Sequence, residues 1–249
     1  MEKISNASSI ERDLRIQLAG CYRIFDMLGW TELIYNHISV RIPGAESSFL
    51  INPFGLHYSE VTASNLVKID LQGRILAPSD YPVNPAGFML HAALHNGIAE
   101  AHCVMHIHTT AGSAVASSQV GLSHDNFYAA QLVGRVGYHD FEGVTVHAEE
   151  GPRLLRSIGD AQAVILRSHG LLSWGPTIPN AFIYLWSLQR ACEIQLAGAA
   201  LGQAVSISPE IQTKARADAL QFDPAHPSGK FVFDALLRQA ARIDPGFRD

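Results

Sequence analysis

No stretch of about 18 apolar residues runs through this chain, so nothing in it is built to cross a bilayer as a helix. Basic blocks are missing too. Lys and Arg number 18 against 23 Asp and Glu, giving a formal net charge of −5. A chain so balanced lacks the electrostatic footprint of a nucleic-acid binder. Cysteine is scarce: Cys21, Cys103 and Cys192 are odd in number and form no Cys-x-x-Cys pair. That argues against a disulfide framework and for a reduced, cytoplasmic compartment. Residues 1–15 are polar and mixed in charge, without the apolar centre of a signal peptide. Internal repeats and low-complexity segments are also missing.

What is present is a 47% apolar composition over 249 residues, enough for a sizeable core. Residues 1–9 read as a flexible tail. Over 10–28 the apolar positions fit a helical stripe that Gly29 ends. Residues 36–42 alternate like a strand, with Ile38 and Val40 on one face and Ser39 and Arg41 on the other. Segment 48–52 reads as its antiparallel partner across Pro43-Gly44, and 67–70 with 74–76 as a hairpin around Leu71-Gln72-Gly73. Helices are expected over 86–100, 110–117, 151–158, 179–200 and 231–242. Further strands are expected at 103–108, 134–138, 144–146 and 163–167. Short strands interspersed with helices place the chain in the α/β or α+β class.

Histidine is abundant, at 12 residues. His106-Ile107-His108 falls on an expected strand, where side chains alternate, so both imidazoles project to one face. Two imidazoles so placed can share a metal ion if a third ligand arrives from elsewhere. The spacing alone is weak, since this histidine content supplies about 0.6 such pairs by chance. A second segment, Arg167-Ser168-His169-Gly170-Leu171-Leu172, ends an apolar strand with a histidine and a glycine, letting the backbone turn while the imidazole reaches into a cleft.

The segment AHCVMHIHTTAGSAVAS (101–117), then LRSHGLL (166–172), then a long helix ending in QRACE (189–193) resembles the class II aldolase/adducin family. NHISVR (36–41), INPFGLHYSE (51–60) and NPAGFMLHAALH (84–95) extend the resemblance outward, and FDALLRQAARIDP carries it towards the C-terminus. The resemblance implies a three-layer α/β/α fold around a central, mainly antiparallel sheet. It implies a single domain over 10–249 with a C-terminal helical arm from about 205. It also implies a homo-oligomer, commonly a tetramer, with sites near subunit boundaries. The family's metal-binding histidines fall on His106, His108 and His169. One divalent ion is expected there, zinc first, with iron, manganese and cobalt as alternatives.

Two departures from the sugar-phosphate aldolases of that family stand out. Their proton-transferring acidic residue, one turn before the histidine matching His91, is here Gly87, and no carboxylate occurs between Tyr81 and Asn96. Such a group contributes roughly 10²–10⁴-fold in rate, so its loss argues against ordinary aldol cleavage. Their phosphate loops, rich in hydroxyl and backbone donors, are here Asn36-His37, Asn52-Pro53-Phe54-Gly55 and Pro85-Ala86. The sequence therefore leads to an adducin-head-like subgroup and to a non-phosphorylated substrate.

The resulting expectation is a metal-dependent carbon–carbon lyase, a decarboxylase of a hydroxyaryl or 2-oxo acid. Tyr128 and His91 are the candidate proton donors. His37, Asn52, Phe54, Phe88 and His124 are the candidate substrate contacts. Two alternatives stand beside it: an Fe(II)-dependent oxygenase on the same three histidines, and a non-catalytic scaffold resembling the adducin head.

Overall fold

Seven strands carry the architecture: β1 (His37–Ile42), β2 (Ser48–Ile51), β3 (Val67–Asp70), β4 (Cys103–Ile107), β5 (Val136–His139), β6 (Ala163–Leu166) and β7 (Gly170–Gly175). The structure, a computed structural model, describes residues 2–44, 48–144, 148–219 and 227–249. The strands form one sheet in the order β3-β2-β1-β4-β7-β6-β5. Every pairing is antiparallel except β5 with β6. Eight α-helices accompany them among the described residues: α1 (Glu2–Met27), α2 (Pro85–Gly97), α3 (Thr110–Ala116), α4 (Phe127–Gln131), α5 (Gly151–Ile158), α6 (Ile178–Gly198), α7 (Pro209–Asp218) and α8 (Lys230–Ile243).

Strand alternation sorts the helices into layers. Ile38, Val40, Met105, Ile107, Ile165 and Leu171 point to one face and join a core with α1, α3, α6 and α8. Val104, Val164 and Leu172 point to the other, where Leu90 and Leu94 of α2 and Leu154 and Ile158 of α5 cover them. Phe88 completes a third cluster with Phe49, Ile51, Val67 and Ile69. The expected α/β/α layering around a mainly antiparallel sheet is the architecture found.

Local chemistry explains the element ends. Thr177 caps α6 by accepting from the Asn180 N–H, and Pro179 sits in the first turn where its missing N–H costs nothing. Thr109 and Asn126 cap α3 and α4 in the same way. Helix α1 begins at Glu2, within the segment expected to be a tail. The expected hairpin around 71–73 is present, with the Asp70 N–H donating to the Arg74 carbonyl and the Leu76 N–H to the Lys68 carbonyl about an antiparallel bridge of Ile69 with Ile75. The strand expected at 144–146 lies largely outside the described residues. No strand was expected at β7, yet it pairs with both β4 and β6 and carries the Leu171 carbonyl that meets the His106 ring.

Candidate metal centre

His106 sits near the end of β4, opposite His37 of β1 and Leu172 of β7. Met105 and Ile107 face the α1/α6 core, so alternation sends His106 to the α2 side. His108 follows directly after the strand. His169 arrives from the turn 167–169 that joins β6 to β7. That turn is held by the Arg167, Ser168 and His169 N–H groups, which donate to the carbonyls of His139, Ala116 and Leu166. Ser168 takes a left-handed φ of 55°, a strained conformation for a residue with a Cβ, directly before the ligand. Gly170 lies so close to β4 that a Cβ there would be 2.4 Å from the Ile107 carbonyl oxygen. Only glycine lets the two strands bring His106 and His169 this near.

The three Nε2 atoms converge, at 2.9 Å between His106 and His108, 2.9 Å between His108 and His169, and 3.3 Å between His106 and His169. The opposite edges of two rings decide what this means. His106 Nδ1 lies 2.8 Å from the Leu171 carbonyl and His108 Nδ1 lies 2.7 Å from Asn36 Oδ1. Both partners can only accept, so both Nδ1 atoms carry the proton and both Nε2 atoms present lone pairs. Asn36 Oδ1 is fixed as the acceptor because its Nδ2 donates to the Trp30 carbonyl at 2.9 Å. Lone pairs facing one another at these distances repel unless a cation lies among them.

Nitrogens bound to zinc at about 2.0–2.1 Å in a tetrahedral site stand about 3.3 Å apart, close to the spacings found. Burial, followed by the neighbouring histidines, holds His106 well below the usual imidazole range. Burial, then His169, pushes His108 down to about 4, and burial lowers His169. All three are thus neutral ligands at neutral pH. The triad fits a divalent cation.

A cavity of about 390 Å³ opens beside the triad. Tyr35, Leu90, Phe141 and Val144 give it apolar walls, and the Phe141 ring centre lies 6.3 Å from that of His169. None of the lining residues among those described is Asp, Glu, Lys or Arg. His37 forms part of the wall and begins a buried chain. Its Nδ1 is 2.8 Å from His91 Nε2, His91 Nδ1 is 2.7 Å from Ser39 Oγ, and Ser39 Oγ is 2.7 Å from His95 Nε2. The chain ends with His95 Nδ1 at 2.6 Å from the Ala101 carbonyl.

The class II aldolase and adducin N-terminal domain matches residues 16–196. The chain belongs to the class II aldolase/adducin family. A Pseudomonas aeruginosa protein whose name places it in aldolase class 2 is 38% identical over 247 residues, 98% of this chain and 95% of that protein. Rat alpha-adducin is 46% identical over 189 residues, which cover 75% of this chain but 26% of the adducin. A crystal structure of an aldolase II superfamily protein from Pseudomonas syringae superposes with a TM-score of 0.90 at 36% identity, covering 96% of each chain. L-fuculose 1-phosphate aldolase from Glaciozyma antarctica superposes with a TM-score of 0.86 at 25% identity, covering 98% of this chain and 94% of that one.

Against this family frame, the expected site residues divide. His106, His108 and His169 come together, and His37 lines the cavity with His91 directly behind it. The other candidates do not line it. Asn52 is buried, with Oδ1 2.9 Å from the Tyr22 hydroxyl. Phe88 packs in the cluster around Phe49. The Phe54 N–H donates to the Pro82 carbonyl, and His124 Nδ1 donates to the Ala129 carbonyl at 2.9 Å. Tyr128 stacks edge-on with Phe127 and Trp186, at 5.1 and 5.3 Å between ring centres.

Several residues at the site carried no role in the sequence reading. Asn36 and the Leu171 carbonyl orient two ligands, Ser39 links two histidines, and Phe141 closes one wall. For Asn36 and Ser39 the signal was available, since both sit in the NHISVR motif. Phe141 lies in a segment with no motif at all.

Proposed function

We propose that this protein is a metal-dependent carbon–carbon lyase, a decarboxylase of a non-phosphorylated acid with a hydroxyaryl or 2-oxo head. One observation carries the reading: the cavity sets three converging imidazoles beside walls that hold no charged side chain among the described residues. With no Lys or Arg among them, a phosphate dianion would have the cation alone to offset its desolvation. A carboxylate next to a dication has its charge met.

The position that holds an acid in the sugar-phosphate aldolases is Gly87, and no carboxylate lines the cavity among the described residues. Decarboxylation fits such a site because it begins with the loss of CO₂ rather than with abstraction of a proton. Where the departing carboxylate is attached one carbon away from the oxo or hydroxyl-bearing carbon, its electron pair passes onto that oxygen, and a divalent ion held by His106, His108 and His169 would supply positive charge beside it. The protein's own contribution is orientation and exclusion. His37 and Asn84 offer polar contacts at the head of the substrate, while Tyr35, Leu90, Phe141 and Val144 favour an apolar or aromatic body. One proton, drawn from water, completes the product. The exposed Leu33, Tyr35, Phe141 and Val144 near the cavity mouth support a homo-oligomer, a tetramer in this reading, with the site near a subunit boundary.

A second reading rests on the 46% identity to alpha-adducin, and it treats the chain as a binding module with no turnover. Metal content separates the two. Protein purified anaerobically without chelators is expected to carry near-stoichiometric zinc, manganese or cobalt and to release CO₂ from some member of a hydroxyaryl and 2-oxo acid panel. Stoichiometric iron with oxygen uptake would replace the lyase by an oxygenase. Protein that neither carries nor takes up metal would leave the adducin-like module standing.

A further inference from the structure

The chain from His37 to Ala101 has only one consistent arrangement of protons. The Ala101 carbonyl can only accept, so His95 donates from Nδ1 and its Nε2 bears a lone pair. Ser39 has a single hydroxyl proton, and His95 Nε2 takes it at 2.7 Å. His91 must then donate from Nδ1 to Ser39 Oγ, which leaves its own Nε2 as an acceptor. His37 must donate from Nδ1 to that atom. What remains is His37 Nε2, an acceptor with no hydrogen-bond partner among the described residues. Burial keeps the far links neutral: His95 is pushed down to about 3, and His91 lies well below the usual range.

That acceptor is presented to the cavity. His37 lines it, and the His37 and His106 rings lie 5.1 Å apart between centres. Gly87 makes the room: a Cβ there would fall 2.8 Å from His37 Nε2 and 2.6 Å from its Cδ2. The imidazole thus fills the volume that any larger residue at position 87 would need.

We propose that the His37–His91–Ser39–His95 chain locks His37 as a hydrogen-bond acceptor and thereby selects substrates that place a hydroxyl, rather than an oxo group, beside the metal-bound carboxylate. The selection rests on the reading of the cavity as a metal-assisted acid site, and of its two acid classes it keeps the hydroxyaryl acids. A hydroxyl donates to His37 Nε2. An oxo oxygen would set two acceptors against each other, leaving both unsatisfied. Ser39 and His95 act as positioning residues, since neither reaches the cavity.

Two measurements test this. Long-range ¹H–¹⁵N correlation spectra of the imidazoles, with His37→Gln to assign the signal, report the tautomer without metal or substrate. His37 is expected with its proton on Nδ1, and a proton on Nε2 overturns the inference. Calorimetric binding to the Zn²⁺-loaded protein then compares salicylate, a hydroxyaryl acid with its hydroxyl beside the carboxylate, with phenylglyoxylate, a 2-oxo acid with an oxo group there. Salicylate is expected to bind about tenfold more tightly. Ser39→Ala lets His91 reverse its proton, so the preference should shrink to about threefold or less, while Ser39→Thr, which keeps the hydroxyl, should retain it. Equal or tighter binding of phenylglyoxylate to the unmodified protein overturns the inference. Failure of both acids to bind overturns the acid-site reading, and the substrate selection with it, while the tautomer result stands apart.

Discussion

Asn36 Oδ1 accepts two hydrogen bonds from a single residue, His108: the backbone N–H at 2.9 Å and ring Nδ1 at 2.7 Å. One side chain from the start of β1 thus fixes both the exit of the chain from β4 and the ring orientation of a ligand. Partners of this kind set imidazole tautomer and basicity, and losing one typically costs 10–100-fold in metal affinity.

Asn36→Ala is therefore expected to weaken zinc binding by about 10–100-fold in a chelator competition. Asn36→Asp keeps the acceptor and should stay much closer to the parent affinity. His108→Ala removes a ligand outright and should abolish binding while the far-ultraviolet circular dichroism stays unchanged. Parent-like zinc affinity in Asn36→Ala would sink the orienting role.

Restoring a carboxylate at position 87 should not restore an aldolase. The His37 ring occupies the space, with Cδ2 2.6 Å from where the new Cβ would stand. Overpacking of this kind costs about 1–3 kcal/mol. Gly87→Glu is expected to lower stability by that order and to gain no aldol cleavage. Adding His37→Ala should recover most of the loss, so a denaturation double-mutant cycle would show strong coupling. Additive effects would mean that the two positions do not compete for one volume.

The two neighbours of His169 should respond in opposite ways to substitution. Ser168 holds φ at 55°, a conformation glycine adopts freely, so Ser168→Gly should change stability by less than about 1 kcal/mol. Gly170 faces the Ile107 carbonyl across a gap that no Cβ fits. Gly170→Ala should separate β4 from β7, costing about 1–3 kcal/mol and most of the zinc affinity, because His106 lies on β4 and His169 directly precedes β7. Metal content and melting temperature, measured on both variants, decide the matter. A Gly170→Ala protein with full metal would break the link between strand spacing and ligand convergence.

Much of this site was legible because its residues sit in compact motifs. His106 lies on β4 with His108 just past its end, and His169 follows a visibly apolar strand, so alternation and the family pattern together identified the triad. The limits have physical causes. Strand β7 is apolar on both faces, and the Gly170 that opens it reads as a terminator. The pairing of His37 with His106 is a matter of register between strands more than sixty residues apart, which local patterning does not encode. Phe88 illustrates the converse. An aromatic near a motif looks like a pocket wall, yet Phe88 belongs to the cluster that holds α2 against β2 and β3.

Acid should unfold this protein through its histidines before its carboxylates. His95 is held down to about 3 by burial, against about 6.5 when the chain is unfolded, and His91 and His37 are lowered for the same reason. The unfolded chain therefore takes up protons below about pH 6.5 that the folded chain refuses. Stability from these groups is fully present above that pH and is lost as pH falls towards the folded values. Each such group contributes up to about 1.4 kcal/mol per pH unit within that window. His95 alone removes about 1.6 kcal/mol between pH 6.5 and 5, a substantial part of a typical total of about 5–15 kcal/mol, and His91 and His37 act in the same direction. The metal-free protein is expected to lose its melting transition steeply between pH 6.5 and 5. His95→Gln should flatten that slope, and excess Zn²⁺ should move the loss to lower pH by binding only the folded form. A melting temperature constant from pH 7 to 5 would mean that these rings are already solvated in the folded protein, and the buried chain behind His37 would fall with it.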